Sequence, residues 1–185
     1  MNLTRPVFSL VFIVAIFSFY GCGYNFRADG APVGIEIESI AIPMVESSSS
    51  EKGVEADFTT VLRNEFISHA QVPLKNRDQA GMVIQVEIYE ISTQPLTYDS
   101  NRTSVSGREF THETTSSRRL ILRLNASLID SSTGKVVWND SSMTEEAMFA
   151  VSADPLVTRN NQKKALLKIA GLLSERIYNR TMERF

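Results

Sequence analysis

The sequence predicts a two-layer α/β sandwich: two helices packed on one face of a four-stranded mixed sheet, in the order βαβββα. Two segments repeat apolar residues at helical spacing, whereas four segments carry the apolar patterns of strands, three of them with clear alternation. Helices and strands with one apolar side bury those sides when the helices cover the sheet. The pattern therefore favours two layers around one core.

The first predicted strand covers residues 35–43 and ends at Pro43. Its isoleucines lie at positions 35 and 37 and then at 40 and 42, so the alternation changes phase near Ser39. A shift of one residue moves side chains to the other face of a sheet. Either a bulge lies near Ser39, or the second half of the strand is buried on both faces.

Two helices are predicted from apolar stripes at three- and four-residue spacing. The first runs from about Val54 to His69. The second begins at Asp154-Pro155 or at Thr158 and ends near Thr181. Aspartate is a favoured N-cap residue and proline a favoured first helical residue, so this pair is typical of a helix start.

The middle of the chain predicts three strands. One begins at Met82, the clearest covers residues 120–129, and the last returns from Val136 after a turn at 130–135. Residues 92–117 are rich in Ser and Thr and poor in aliphatic residues. They are expected to form a strand extension, a polar loop and the start of the next strand.

The leader ends at the chain's single cysteine, Cys22. An apolar run over residues 7–20 has the length of a signal-peptide core and is shorter than a membrane-spanning helix. Gly21 supplies the small residue that a lipoprotein signal peptidase requires before its cysteine. We expect a signal peptide at 1–21, a lipidated tether at 22–34 and one domain at 35–185; the alternative is an ordinary secretory peptide with a free thiol at Cys22.

Composition and motifs disfavour nucleic-acid binding and catalysis. The chain carries 19 basic and 21 acidic side chains, which argues against a nucleic-acid surface. His69 and His112 lack a metal-binding spacing, and no phosphate loop or nucleophile elbow occurs. Glu145 and Glu146 should point to opposite faces of a strand and are therefore poorly placed to cooperate as an acid pair. We therefore expect a non-enzymatic protein without a metal or cofactor.

Four short segments resemble the LPS-assembly lipoprotein family LptE, and their order carries the resemblance. They are residues 22–26 (CGYNF), 39–43 (SIAIP), 58–66 (FTTVLRNEF) and 124–128 (LNASL), followed by the amphipathic terminal helix. The likeness spans the mature chain, with departures at Tyr20 and in the long polar segment 99–117.

The resemblance implies a lipoprotein anchored in the outer membrane on its periplasmic face. Members of the family plug the β-barrel protein LptD, help it assemble and contact lipopolysaccharide. The family fold is also a two-layer α/β sandwich. The chain would then have LptD, lipopolysaccharide and the outer membrane as partners, and no nucleic acid.

Two alternative functions stay open at this point. One is a lipoprotein that activates a peptidoglycan synthase, and the other is a secreted enzyme with Cys22 as its nucleophile. About a dozen residues separate Cys22 from the first predicted strand, so the tether spans at most about 40 Å. A domain held so close to its membrane favours the barrel plug.

A barrel lumen is polar, so the surface that enters it should be polar as well. The Ser/Thr-rich stretch 99–117, which includes Arg102 and Arg108, is one candidate, and the hairpin around Lys135 is another. We expect Arg118, Arg119 and Lys135 to lie near one end of the sheet and to contact the barrel or lipopolysaccharide phosphates.

Overall fold

In the part of the chain that the structure describes, five strands form one mixed sheet and two helices pack on one of its faces, which confirms the predicted sandwich. The computed structural model describes residues 37–105 and 108–182, with the backbone alone over the parts of 99–114 that it covers. The elements are β1 (Ile40–Ala41), β2 (Glu46–Ser47), α1 (Val54–His69), β3 (Met82–Val105), β4 (Arg108–Asp130), β5 (Val136–Ala150) and α2 (Pro155–Met182).

The sheet has the order β1-β3-β4-β5, and β2 also pairs with β3. Both short strands run parallel to β3, whereas β3, β4 and β5 form an antiparallel meander. The sheet is therefore mixed, as predicted. It has one strand more than expected, because residues 46–47 form a separate pairing with β3 beyond Pro43.

The phase change near Ser39 reflects burial on both faces. Ile40 and Ile42 belong to the main core under the helices, whereas Ala41 packs with Ala80 and Val83 in a small second cluster. Strand β1 covers only Ile40–Ala41, so the prediction of a strand over 35–43 is too long within the described residues. The backbone groups of Ile40 bond to Pro73 and Lys75, on either side of Leu74. The second of the two alternatives is therefore the correct one.

Helix α1 buries one apolar face: Val54, Phe58, Leu62 and Phe66. Gly53 precedes it with φ of 87°, a left-handed conformation that glycine adopts without the steric cost of a Cβ atom. The bounds of this helix agree with the sequence prediction, because helical periodicity and burial coincide over its whole length.

Helix α2 begins where Asp154-Pro155 predicted. The backbone N–H of Leu156 donates to Asp154 Oδ1 at 2.8 Å, so the aspartate caps an otherwise unpaired donor. The helix ends at Met182, one residue beyond the prediction. Among the helices described, neither is long and apolar enough to cross a membrane.

The strands β3 and β4 run further than predicted. The prediction of a polar loop within residues 92–117 is wrong over most of this segment: β3 continues to Val105 and β4 starts at Arg108. Strand β5 continues to Ala150. Threonine has high β-propensity, and the ladder bonds extend along both strands although few aliphatic residues are present.

The turn between β4 and β5 is organised by Asp130. Its Oδ1 accepts hydrogen bonds from the backbone N–H and the hydroxyl of Ser132, at 2.8 and 2.7 Å. Gly134 has φ of 68°, as the turn prediction required. The bonds from Ser132, with a further one from Thr133, lower the pKa of Asp130 from 3.8 to about 2.

Replacing Asp130 by asparagine should make the stability of this turn less dependent on pH. A carboxyl whose folded pKa is lowered stabilises the fold above its unfolded pKa, and this contribution is lost as the pH falls through the folded value. The difference in melting temperature between wild type and Asp130→Asn should therefore narrow as the pH falls from about 5 to about 2. A difference in melting temperature that stays constant over this pH range would contradict the proposal that the charged carboxylate of Asp130 stabilises the turn.

Candidate interaction surface

A two-stranded ribbon projects from the sheet beyond the end of β5. Strand β5 pairs with β4 only as far as Ala150 opposite Ser117. From Tyr98 opposite Thr115 to Val105 opposite Arg108, β3 and β4 pair with each other and with no other strand that the structure describes. We call residues 98–105 and 108–115 the ribbon. Eight residues in each strand extend it by about 26 Å.

The base of the ribbon carries two register shifts that set it off from the sheet. They lie between Pro95 and Thr97 and between Thr97 and Tyr98. Bulges of this kind bend a strand and increase its twist. The hydroxyl of Thr97 lies 3.0 Å from that of Ser116 and also contacts Ser117, which links the two strands at this point.

The ribbon is polar in composition, and no third strand pairs with it within the described part of the chain. Its residues are mostly Thr, Ser, Asn, Asp, Glu and Arg, with Phe110 and Val105 as its large apolar residues besides Tyr98. A two-stranded hairpin is marginally stable alone in water. The ribbon therefore offers a polar surface that can gain stability by packing against another molecule.

The three predicted contact residues do not form one cluster, so the expectation that they lie near one end of the sheet is wrong. Arg118 and Arg119 are adjacent on β4 at the base of the ribbon, where successive side chains point to opposite faces. Lys135 lies in the turn at the other end of β4. Eleven residues separate Arg119 from Asp130, which corresponds to about 36 Å along the strand.

The face of the sheet away from the helices carries two ion pairs. Arg123 Nη1 lies 2.6 Å from Glu90 Oε2, and Arg119 Nη1 lies 3.4 Å from Glu146 Oε2. The hydrogen bond from Arg123 lowers the pKa of Glu90, with a smaller effect from Ser92. We call this surface the open face.

Arg119 has hydrogen-bonding capacity to spare. Its Nε is buried and has no hydrogen-bond partner among the residues that the structure describes, and its contact with Glu146 is long. A guanidinium has five N–H donors in a planar fork that fits carboxylate and phosphate groups. Arg119 can therefore accept an anionic partner without breaking a short ion pair.

The two adjacent glutamates of β5 confirm the expected facing. Glu145 Oε2 lies 2.6 Å from Arg176 Nη2 on helix α2, whereas Glu146 faces Arg119 on the open face. The carboxylates serve different contacts on different sides of the strand. Their positions therefore do not bring them together as an acid pair.

An open groove of about 930 Å³ lies between the starts of α1 and α2, close to the end of β5. Lys163 Nζ lies 3.1 Å from Asp57 Oδ2 across it, and Gln162 donates to Glu51. Arg159 and Leu156 also line it. The sequence did not reveal this groove, because only the parallel arrangement of the two helices brings their first turns together.

Histidine and carboxylate groups do not assemble into a metal site within the described residues. His69 is exposed at the end of α1, where its Nδ1 lies 3.1 Å from the carbonyl oxygen of Glu65 and 3.2 Å from its carboxylate. It is thus a residue of the helix end, as the sequence suggested. His112 lies opposite Asn101 in the ribbon.

The fold and this surface together define an interaction domain: a helix-covered sheet that presents a polar ribbon and an ion-paired open face. The family model for LptE, described as lipopolysaccharide-assembly, matches residues 37–181. The chain belongs to this family of lipopolysaccharide-assembly lipoproteins, which confirms the resemblance in the sequence. The family is non-enzymatic.

Three solved lipoproteins have similar folds at low identity. They are lipoprotein B from Nitrosomonas europaea (13% identity, 85% of this chain and 88% of that chain, TM-score 0.48), rare lipoprotein B from Shewanella oneidensis (12%, 77% and 92%, 0.45) and a minor lipoprotein from Acinetobacter baumannii (14%, 80% and 93%, 0.45). No curated protein matches the chain significantly.

Proposed function

We propose that this lipoprotein plugs the β-barrel protein LptD, helps it assemble and contacts lipopolysaccharide on its way to the outer leaflet. Membership in the LptE family supports the role in lipopolysaccharide assembly. The observation that carries the finer proposal is the polar ribbon, which extends about 26 Å beyond the helix-covered part of the sheet.

The ribbon suits the inside of a barrel for two physical reasons. A barrel lumen is polar, so an inserted element must offer hydrogen-bonding groups rather than an apolar surface. A two-stranded ribbon has unpaired backbone groups along both edges, and a surrounding wall of polar side chains can satisfy them. The ribbon is thereby expected to enter the lumen first.

The cations near the ribbon base have separate parts in this proposal. Arg119 lies on the open face with a partly exposed guanidinium and only a long contact to Glu146, so it is placed to meet a lipopolysaccharide phosphate or a barrel carboxylate. Arg118 points to the helix side and contacts the barrel there. Lys135, at the far end, contacts the barrel if the lumen encloses the whole length of the sheet.

The proposed anchor is an acylated Cys22 in the inner leaflet of the outer membrane, following a signal peptide at 1–21. Fifteen residues separate Cys22 from Ile37, the first described residue, and they can span at most about 50 Å. Several acyl chains, at about 0.8 kcal/mol per buried methylene, would hold the domain at the bilayer. No cofactor or nucleic acid is involved.

Mass spectrometry of the mature protein is expected to show an N-terminal Cys22 that carries diacylglyceryl and amide-linked acyl groups. The apolar run that ends at Gly21 motivates this prediction. A mature chain that begins elsewhere, or an unmodified thiol at Cys22, would remove the anchor from the proposal and leave the barrel contact to be judged separately.

Removing the ribbon should reduce capture of the barrel by at least tenfold without unfolding the domain. In the shortened chain an Asn-Gly turn joins Thr97 to Ser116, which keeps every residue of the helix-covered sheet. The measurement is the amount of LptD that co-purifies with the tagged chain, alongside the melting temperature. Equal amounts of LptD with the full-length and shortened chains would contradict the proposal.

In-cell photocrosslinking maps the same contact without changing the fold. A photoreactive residue at Tyr98 should give a strong adduct with LptD, and residues at Arg118 and Arg119 should give adducts with LptD or lipopolysaccharide. A photoreactive residue at Lys135 tests whether the barrel also encloses the far end of β4. Adducts from Lys135 but not from Tyr98 would show that the opposite end of the domain enters the barrel, and would contradict the assignment of the ribbon to the lumen.

A further inference from the structure

The outer side of helix α2 combines exposed apolar residues with cations that have no acidic partner among the described residues. Leu156 is 76% exposed, Val157 44% and Leu167 37%. Asn160, Lys164 and Lys168 are also exposed. Residues at three- and four-residue spacing share one face of a helix, so these six positions form a single stripe. We call it the outer stripe.

Charge along this part of α2 is of one sign. The first 20 residues of the helix carry four basic side chains and no carboxylate. The first turn also has no acidic residue, although the helix dipole favours one there. The charged side chains of this part of α2 are therefore all basic, while the carboxylate of Asp154 lies at the N-cap just before Leu156.

Among the described residues, three carboxylates near α2 pair with cations outside the stripe. Asp57 pairs with Lys163, which lies beside the stripe on the side of α1. Glu145 and Asp140 pair with Arg176 and Arg180 further along α2. Within the described part of the chain, Lys164 and Lys168 make no ion pair, so their charges are available to a partner.

We propose that the outer stripe docks the domain on the surface of a bilayer that contains anionic phospholipids. Exposed leucines and a valine can enter the boundary between headgroups and acyl chains, while lysines beside them extend their charged ends to lipid phosphates. A polar barrel lumen would leave these apolar side chains without a suitable environment. The stripe therefore belongs to a different contact from the ribbon.

The shape of the stripe favours a bilayer over a single lipid molecule. It runs for about 18 Å along α2, from Leu156 and Asn160 at the rim of the groove to Lys164, Leu167 and Lys168 beyond it. Binding sites for single ligands are usually concave pockets. A strip of this length that continues past the groove instead fits a plane of many headgroups, so that each lysine can meet a different lipid phosphate.

The test places a fluorophore on the outer stripe of the full mature chain, extracted from membranes and reconstituted into vesicles. Asn160→Cys takes the label, since acylation blocks Cys22, the one native cysteine. Acylation is verified first by mass, so that failure of the anchor and failure of docking are separate results. Brominated lipids should quench the label when a third of the phosphatidylcholine is replaced by phosphatidylglycerol, and not in phosphatidylcholine alone.

Two variants and one control position sharpen this test. Lys164→Gln combined with Lys168→Gln should weaken docking about 30-fold, since each cation near an anionic surface contributes about fivefold to the affinity. The control substitution Lys135→Gln, in the turn far from α2, should leave quenching unchanged. A label at Asn139 on β5 should not be quenched in either lipid mixture.

Four outcomes would overturn the proposal. Equal quenching with and without phosphatidylglycerol would remove the role of anionic headgroups. Quenching that requires lipopolysaccharide in the vesicles would assign the stripe to that lipid instead. A label at Asn160 shielded before any lipid is added would show that residues 22–36 of the chain cover the stripe. Quenching at Asn139 alone would place the opposite face on the bilayer.

Discussion

Replacing Leu124 by alanine is expected to destabilise the domain by about 2–5 kcal/mol. Leu124 lies in β4, the central strand of the meander, opposite Ile88 on one side and Met143 on the other. Its side chain is completely buried in the core under the helices. Alanine removes apolar contacts and leaves a cavity that the surrounding strands cannot close. The expected loss is large, because the free energy of unfolding of a domain is only about 5–15 kcal/mol.

Urea denaturation monitored by circular dichroism measures this loss. Leu124→Met, which keeps the side-chain volume, should cost less than about 1.5 kcal/mol. Met148→Ala is the matched surface control, because Met148 lies on β5 and is 74% exposed. A Leu124→Ala variant that unfolds at the same urea concentration as the wild type would show that the helix-facing side of β4 has been misassigned.

Replacing Phe66 by alanine is expected to cost about 3–5 kcal/mol. Phe66 is fully buried on α1, and its ring meets that of Tyr178 on α2 edge to face, with centroids 5.3 Å apart. The Tyr178 hydroxyl also donates to the carbonyl oxygen of His69 at 3.0 Å. Phe66 thus links the ends of the two helices, and its loss removes both core volume and an aromatic contact.

The control for Phe66 is its neighbour on the same helix. Ile67 is exposed, so Ile67→Ala should change the free energy of unfolding by no more than about 0.5 kcal/mol. Thermal unfolding of both variants provides the comparison. Similar melting temperatures for Phe66→Ala and Ile67→Ala would mean that the contact between the helices contributes little to stability.

Local sequence patterns were sufficient to predict the two helices and the clearest strand. The bounds of α1 agree with its apolar stripe, and Asp154 caps α2 where an aspartate-proline pair stands in the sequence. These predictions succeeded because capping and burial depend on residues within a few positions of each other. The change of phase near Ser39 was also readable, although the sequence left two explanations open.

The ribbon was not predictable in the same way. Residues 98–115 have no alternation of apolar and polar residues, so the usual signal of a half-buried strand is missing. Pairing with the opposite strand holds them in the extended form, and pairing is a property of two segments together. The sequence therefore indicated the polarity of this segment and not its shape.

The sequence by itself determined the sandwich, the ends of both helices and membership in the LptE family, because these depend on local periodicity, capping and short motifs. Only the tertiary structure decided where the charged side chains meet. It placed Arg118 and Arg119 on opposite faces and Lys135 at the far end of β4. It also placed Lys164 and Lys168 beside exposed leucines, without an ion pair among the described residues. The facing of a strand and the neighbours of a helix arise from packing between distant segments, which no short stretch of sequence encodes.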